Sequence, residues 1–196
     1  MKYLSRARDA AEALGYLNSP EVRALRDRVP TWLQALGTDA GVAEFEARRA
    51  IRLPAALREF YGCTPLACFI EAAFKFDTEV FLDDLASIDG PDMPPVIVWS
   101  TVPHLVLSFC SASGTVLAAE LGQDDPRVFS GFDDEPEPVS EEDDRSLSFS
   151  DLILGIVMRH EAKLDYWQGV YEKGRAGSII DWVRGMPGMT ARLGRV

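Results

Sequence analysis

The chain has 196 residues, 31 of them acidic and 20 basic, and a formal net charge of −11. Apolar residues make up 47%, aromatic residues 10% and charged residues 26%, the composition of a globular domain able to build its own core. These figures exclude fibrous, membrane-spanning and disulfide-scaffold classes, and they name no activity.

Leu4, Ala7, Ala11, Leu14 and Leu17 share one helical face and predict a first amphipathic helix. Charge interrupts Met1 to Asp9 before an apolar run of export-signal length can begin, so no export signal is expected. Ser19-Pro20 reads as an N-cap with proline at the first helical position, and Val22, Leu25, Val29, Leu33 and Leu36 continue at helical spacing. Pro30 should kink or divide this second helix, and Gly37 can close it. After Thr38 a third helix runs through Val42, Phe45 and Arg49, and Leu53-Pro54 opens a fourth that holds Leu57, Phe60 and Tyr61 and ends at Gly62. Thr64-Pro65 repeats the cap-plus-proline signal before Leu66, Phe69, Ile70, Ala73 and Phe74, a fifth helix.

From Pro91 the pattern changes to short β-rich runs. Val96 to Trp99 reads as a buried strand, Leu105 to Cys110 as a second and Thr115 to Leu121 as a third, the last two joined by a hairpin over Ser111 to Gly114. Arg127 to Phe129 adds a short strand. Successive strands without helices between them predict an antiparallel meander. Between Asp133 and Asp144 eight of twelve residues are acidic and two are proline, a composition that demands solvation. Ser148-Phe149-Ser150-Asp151 is a capping box flanked by Leu147 and Leu152 as its hydrophobic staple. Phe149, Leu152, Ile153, Ile156, Val157, His160 and Leu164 then trace the stripe of a helix expected to lie across the sheet. Residues 165–196, with Tyr166, Trp167, Tyr171 and Trp182, read as an extension that packs by its aromatics. The fold class expected is α+β, a largely antiparallel sheet of about four to six strands flanked by helices. Three parts are expected: a helical extension over 1–37, a domain over 38–164 and the C-terminal extension over 165–196.

Charge divides unevenly along this plan. Residues 1–60 hold 10 basic and 8 acidic side chains, residues 61–157 hold 3 and 19, and residues 158–196 hold 7 and 4. A segment as acidic as the middle one does not suit a phosphate backbone, which requires cations that displace counterions. It would attract a basic protein and speed its encounter, or else serve as a solvated face. The alternative of arginines and aromatics in the C-terminal stretch stacking on bases is weaker than self-docking.

Cys63, Cys68 and Cys110 are odd in number and lack paired CxxC spacing, which argues against disulfides or structural zinc and for a reducing, cytoplasmic setting. No run of about 18 apolar residues occurs that could cross a bilayer. No phosphate-loop, dinucleotide, GxSxG, HExxH or calcium-loop pattern occurs, and no cofactor or metal is expected. His160 to Leu164 lacks the second histidine of a zinc helix, and His160 lies on an apolar stripe, where a core histidine is the simpler reading. His104, after Pro103 at a strand entry, could act as a base only with a nucleophile and an orienting carboxylate. Cys110, Ser111 and Ser113 beside Gly114 fit a polar hairpin turn better than a nucleophile elbow. The pairs Asp124-Asp125 and Asp133-Asp134 could bind a hard cation, yet no glycine-turned alternation of oxygen ligands follows them, and surface loops account for them better.

The run Glu44 to Tyr61, with Glu46, a Leu53-Pro54 step and Phe60 toward the end of a short helix, resembles the N-terminal signature of the SUKH superfamily. Val98-Trp99, the strand from Leu117 to Leu121, Asp124 to Phe129 and then Ser148-Phe149-Ser150-Asp151-Leu152 are similar to its second half, so the resemblance spans roughly residues 40–164. Where the family shows an Asn-Gly turn, this chain has Gly62-Cys63-Thr64-Pro65. The resemblance implies a non-enzymatic protein-binding module, chiefly of bacterial immunity proteins that neutralise toxins, often nucleases; a yeast regulator of cell-wall synthesis belongs to the same family. The expected partner is a basic toxin domain, met near Asp124, Asp125, Asp133, Asp134 and Glu135, with no nucleic acid and no membrane. Two alternatives stand beside it: a regulatory or scaffolding module that binds through Trp167, Tyr171 and Trp182, and a small-molecule binder or hydrolase using His104 or His160.

Overall fold

A computed structural model describes residues 1–27, 36–74, 96–99, 101–110, 115–132 and 147–158. The first helix, α1 (Ser5–Ala13), stops where Gly15 adopts a left-handed backbone with φ 76°, a conformation glycine enters without a side-chain clash. A 3-10 turn over Tyr16–Asn18 follows, so the first amphipathic face is shorter than its periodicity suggests. Leu14 is 48% exposed, and the 3-10 turn brings Leu17 into the core. Tyr16 stacks on Phe69 with ring centroids 5.1 Å apart.

Ser19 caps α2 (Pro20–Arg26) as expected, its hydroxyl accepting the Val22 N–H at 3.3 Å. Val29, Pro30 and Leu33 lie outside the described residues. Thr38 caps α3 (Asp39–Arg49) in the same way through the Gly41 N–H, and the helix ends at Ala50, which is left-handed with φ 53°. The fourth and fifth helices, α4 (Ala55–Gly62) and α5 (Thr64–Phe74), are separated by one residue. The Cys63 carbonyl accepts the Leu66 and Ala67 N–H groups, so Cys63 occupies the cap position and Thr64 is already helical. The cap expected at Thr64 is therefore displaced by one residue, because α4 leaves no room for a longer link.

The sheet contains β1 (Val96–Trp99), β2 (Val102–Cys110), β3 (Thr115–Glu120), β4 (Arg127–Phe132) and β5 (Leu147–Ser148). All pairs are antiparallel in the order β1-β2-β3-β4-β5, the meander that uninterrupted strands predict. Two details differ from the sequence pattern. β1 pairs with one neighbour among the described residues, and Val98 is 62% exposed, so the strand is not buried along its whole length as expected. Leu147-Ser148 pairs with Val128 and Arg127, so the staple residue also serves as a strand.

The last helix, α6 (Phe149–Met158), buries Phe149, Leu152, Ile153, Ile156 and Val157 and packs on α1, α4, α5, β4 and β5. His160 and Leu164 lie outside the described residues, as do residues 165–196. Leu4, Ala7, Ala11 and Val22 share one core with Leu57, Phe60, Leu105, Val128 and Ile156, so the described helices of 1–37 are built into the same hydrophobic cluster as the sheet. Alternation along the strands places His104, Val106, Ala118 and Phe129 on the opposite face, and these are buried as well.

Trp99 pairs with Val102, and Thr101 directly precedes β2 in the short β1–β2 connection. Thr101 has φ 77°, a conformation that suits glycine or asparagine and crowds a β-branched side chain. Thr101→Gly is expected to stabilise the protein by about 0.5–1 kcal/mol, since relief of the clash outweighs the added freedom of the unfolded chain. Urea unfolding should show a higher midpoint at unchanged slope; a lower midpoint would show that Thr101 makes a compensating contact.

Candidate functional site

The connection from β3 to β4 is a corner that ties three elements together. Leu121 donates its N–H to the Pro103 carbonyl (2.9 Å), and Gly122 turns the chain with φ 103°. The Asp124 carbonyl accepts the Ala56 N–H at 2.8 Å, satisfying a donor that the first turn of α4 leaves open. The Asp124 carboxylate accepts the Tyr3 hydroxyl at 3.1 Å, and Tyr3 in turn accepts from the Lys2 ammonium at 2.9 Å. The Pro126 carbonyl accepts the Phe149 N–H at 2.8 Å.

Asp125 has a different task. Its two oxygens accept the Ser150 N–H (3.0 Å) and the Ser150 hydroxyl (2.6 Å) at the start of α6. The capping box is thereby half realised: Ser148 Oγ accepts the Asp151 N–H at 3.1 Å as expected. The reciprocal bond from the Asp151 carboxylate is not made among the described residues; that carboxylate lies 3.8 Å from Arg6. Asp125, from 25 residues upstream, supplies the second acceptor. Of the acidic residues predicted to meet a partner, Asp124 and Asp125 thus come together at this corner, the first exposed and the second half-buried as a helix cap. Asp133, Asp134 and Glu135 lie outside the described residues.

The motif residues are placed to hold the fold. Glu46 Oε1 accepts the Leu53 N–H at 2.6 Å and also pairs with the Arg58 guanidinium, while Arg58 Nε donates to the Leu53 carbonyl at 3.1 Å. Both backbone groups of Leu53 are therefore satisfied by side chains, which pins the Leu53-Pro54 step against the core. Leu53 and Pro54 are buried, and Phe60 meets Phe149 edge to face at 5.7 Å. Two motifs nearly ninety residues apart in the chain therefore close on one aromatic contact. Trp99 ends β1 opposite Val102.

Sequence reasoning missed Glu59 and Arg58. The Glu59 carboxylate accepts the backbone N–H groups of Lys2, Tyr3 and Leu4, the last two at 2.8 and 3.1 Å, and so caps the entry to α1. Burial alone would raise its pKa; the three donors outweigh burial and hold it below its ordinary value of 4.5. A partner 55 to 57 residues away leaves no local pattern to find.

Beside the corner, the α3–α4 turn and the sheet enclose a groove of about 520 Å³. Ile51, Leu53, Pro54, Val96, Pro103 and Leu121 form its apolar lining, with Arg49, Arg52, Gln123 and Asp124 among the polar groups. His104 is not part of that lining. It is 4% exposed, its Nδ1 donates to the Val102 carbonyl (2.8 Å) and its ring packs edge-on to Phe129. Burial lowers its pKa below 6.5, against the opposing pull of the Val102 carbonyl and Glu120. The thiols of Cys63 and Cys68 are buried. Among the described residues no three His, Cys, Asp or Glu side chains gather to hold a metal ion, and no helix is long and apolar enough to cross a membrane.

No family model, curated protein or solved structure matches the chain. The α+β architecture stands on the coordinates alone. His160 and the aromatic residues Trp167, Tyr171 and Trp182 lie outside the described residues.

Proposed function

We propose that the chain is a non-enzymatic, SUKH-like module of the immunity type that binds and neutralises a basic, nuclease-like toxin in the cytoplasm. The observation that carries this reading is how the most acidic stretch is mounted. Residues 133–146 hold eight acidic side chains and one arginine and join Phe132, paired with Thr115, to Leu147, paired with Val128. Both ends are thus anchored on adjacent strands. From Val128 to Phe132 the strand covers roughly 14 Å, whereas fourteen residues reach up to about 50 Å, so the link is far longer than the crossing needs. A long, fixed-ended insertion with this density of carboxylates suits a cation-rich partner, and a nuclease presents such a surface where it holds phosphate.

The test takes the reading frame beside this chain's own: if it encodes a basic toxin domain, association with that domain is followed by stopped flow, and a neighbour without one counts against the immunity reading. The on-rate is expected to fall roughly tenfold or more between low and high ionic strength, because screening shortens the reach of the acidic field. Replacing Asp133, Asp134 and Glu135 by their amides should reduce the low-salt rate and flatten the salt dependence. An on-rate indifferent to salt would remove the acidic-surface mechanism, and a failure to bind or inhibit the toxin would remove the immunity reading itself.

A further inference from the structure

We propose that α1 is a hinged lid on α6, latched by the Glu59 carboxylate, and that it opens while the rest of the fold stays intact. Nothing in this device depends on the toxin reading. Packing holds α1 only lightly. Its buried face offers Leu4, Ala7 and Ala11, one large side chain and two methyl groups, whereas α6, the helix it lies on, buries Phe149, Leu152, Ile153, Ile156 and Val157. The apolar area that α1 removes from water is correspondingly small.

The helix also does little to secure its own ends. Leu4 stands at the N-cap with no side-chain acceptor, the first turn has no acidic residue and the last turn no basic one. At the far end Gly15 is left-handed with φ 76°, and the space that a Cβ would fill there is open. The chain can therefore swing at Gly15 without a side chain in the way.

The strongest grip comes from α4. The Glu59 carboxylate, itself half-buried, accepts the N–H groups of Lys2, Tyr3 and Leu4 at the entry to α1. Three backbone donors on one ionised acceptor make charge-assisted bonds, stronger than neutral ones. The other polar ties lie in water: Tyr3 donates to the exposed Asp124 at 3.1 Å, and Arg6 stands 3.8 Å from Asp151 with both side chains more than a third exposed. Exposed contacts of this kind add little. An element with a small buried face, a glycine pivot and one main grip belongs to the low end of local stability, and lifting it also takes Tyr3 away from Asp124 at the β3–β4 corner.

The experiment is native-state hydrogen exchange of the full chain at pH 7, read residue by residue with NMR and repeated across sub-denaturing urea. Relative to their unstructured rates, the amides from Arg8 to Leu14 are expected to exchange at least roughly tenfold faster than those from Ile153 to Val157, and with a shallower urea dependence, because lifting one helix exposes less surface than unfolding. Glu59→Gln should raise the opening of α1 roughly tenfold or more and leave its urea dependence shallow. Leu117→Ala, in β3, should speed exchange in α6 and leave the opening of α1 unchanged, since the open and closed lid share the same sheet. Exchange of α1 at the rate and urea dependence of α6 in the unmodified protein would overturn the proposal without recourse to a variant. Equal acceleration of both helices by Leu117→Ala, or indifference of α1 to Glu59→Gln, would overturn it as well.

Discussion

Phe149→Ala is expected to destabilise the protein by about 3–5 kcal/mol, the largest effect of any single truncation considered. The side chain is fully buried at the first turn of α6, within the core shared by α1, α4 and the sheet. Its ring stands edge-on to Phe60 at 5.7 Å and 89°, a geometry that adds to plain area burial. The neighbours cannot collapse easily into the cavity, because the backbone at Phe149 is held to Pro126 and the next residue to Asp125. Urea or thermal unfolding followed by circular dichroism measures the loss, and Met158→Ala, at a position 53% exposed, should stay within about 0.5 kcal/mol of the parent. A loss below about 1.5 kcal/mol at Phe149 would mean that the Phe60–Phe149 contact is not the closure of the core described here. A double-mutant cycle with Phe60→Leu should return a coupling of about 0.5–1.5 kcal/mol.

Glu59→Gln is expected to cost about 2 kcal/mol near neutral pH, since a carboxylate that accepts three backbone N–H groups gives way to an amide with one acceptor oxygen and a donor facing donors. The pH dependence follows from the direction of the pKa shift. Desolvation raises the pKa, but the three backbone donors lower it further, so the folded value lies below 4.5. A carboxylate depressed on folding stabilises the protein above its unfolded pKa and loses that contribution as pH falls through the folded value. The gap between the parent and Glu59→Gln should therefore be full above about pH 5 and narrow progressively below 4.5. Unfolding midpoints measured from pH 7 down to pH 3 would show this; a gap that stays constant over the range would place the effect in packing rather than in charge.

The acidic residues show why parts of the molecule were legible in the sequence and others were not. Asp124 and Asp125 are neighbours of identical chemistry, and as a sequence they form one acidic pair. In the fold one is exposed and takes the Tyr3 hydroxyl, while the other turns inward to hold Ser150. Ser19, Thr38 and Ser148, by contrast, cap the helices that their local patterns announce, because each partner N–H lies three residues away. Leu14 fell off the buried face through a neighbour's backbone, as Gly15 turned the chain before the next helical turn could form. β5 was hidden because two residues carry no periodicity; its pairing with Arg127 and Val128 depends on where β4 lies.

Helix existence, the order of the strands and their antiparallel sense, and the separation of a basic N-terminal third from an acidic centre follow from the residues themselves, since each rests on spacing, capping or composition within a few positions. The groove, the capping of α1 by Glu59 and the division of labour between Asp124 and Asp125 exist only once distant segments meet. Local pattern sets which backbone a segment prefers, whereas a side chain's partner across 25 to 121 residues is set by how the helices and sheet pack around a shared core.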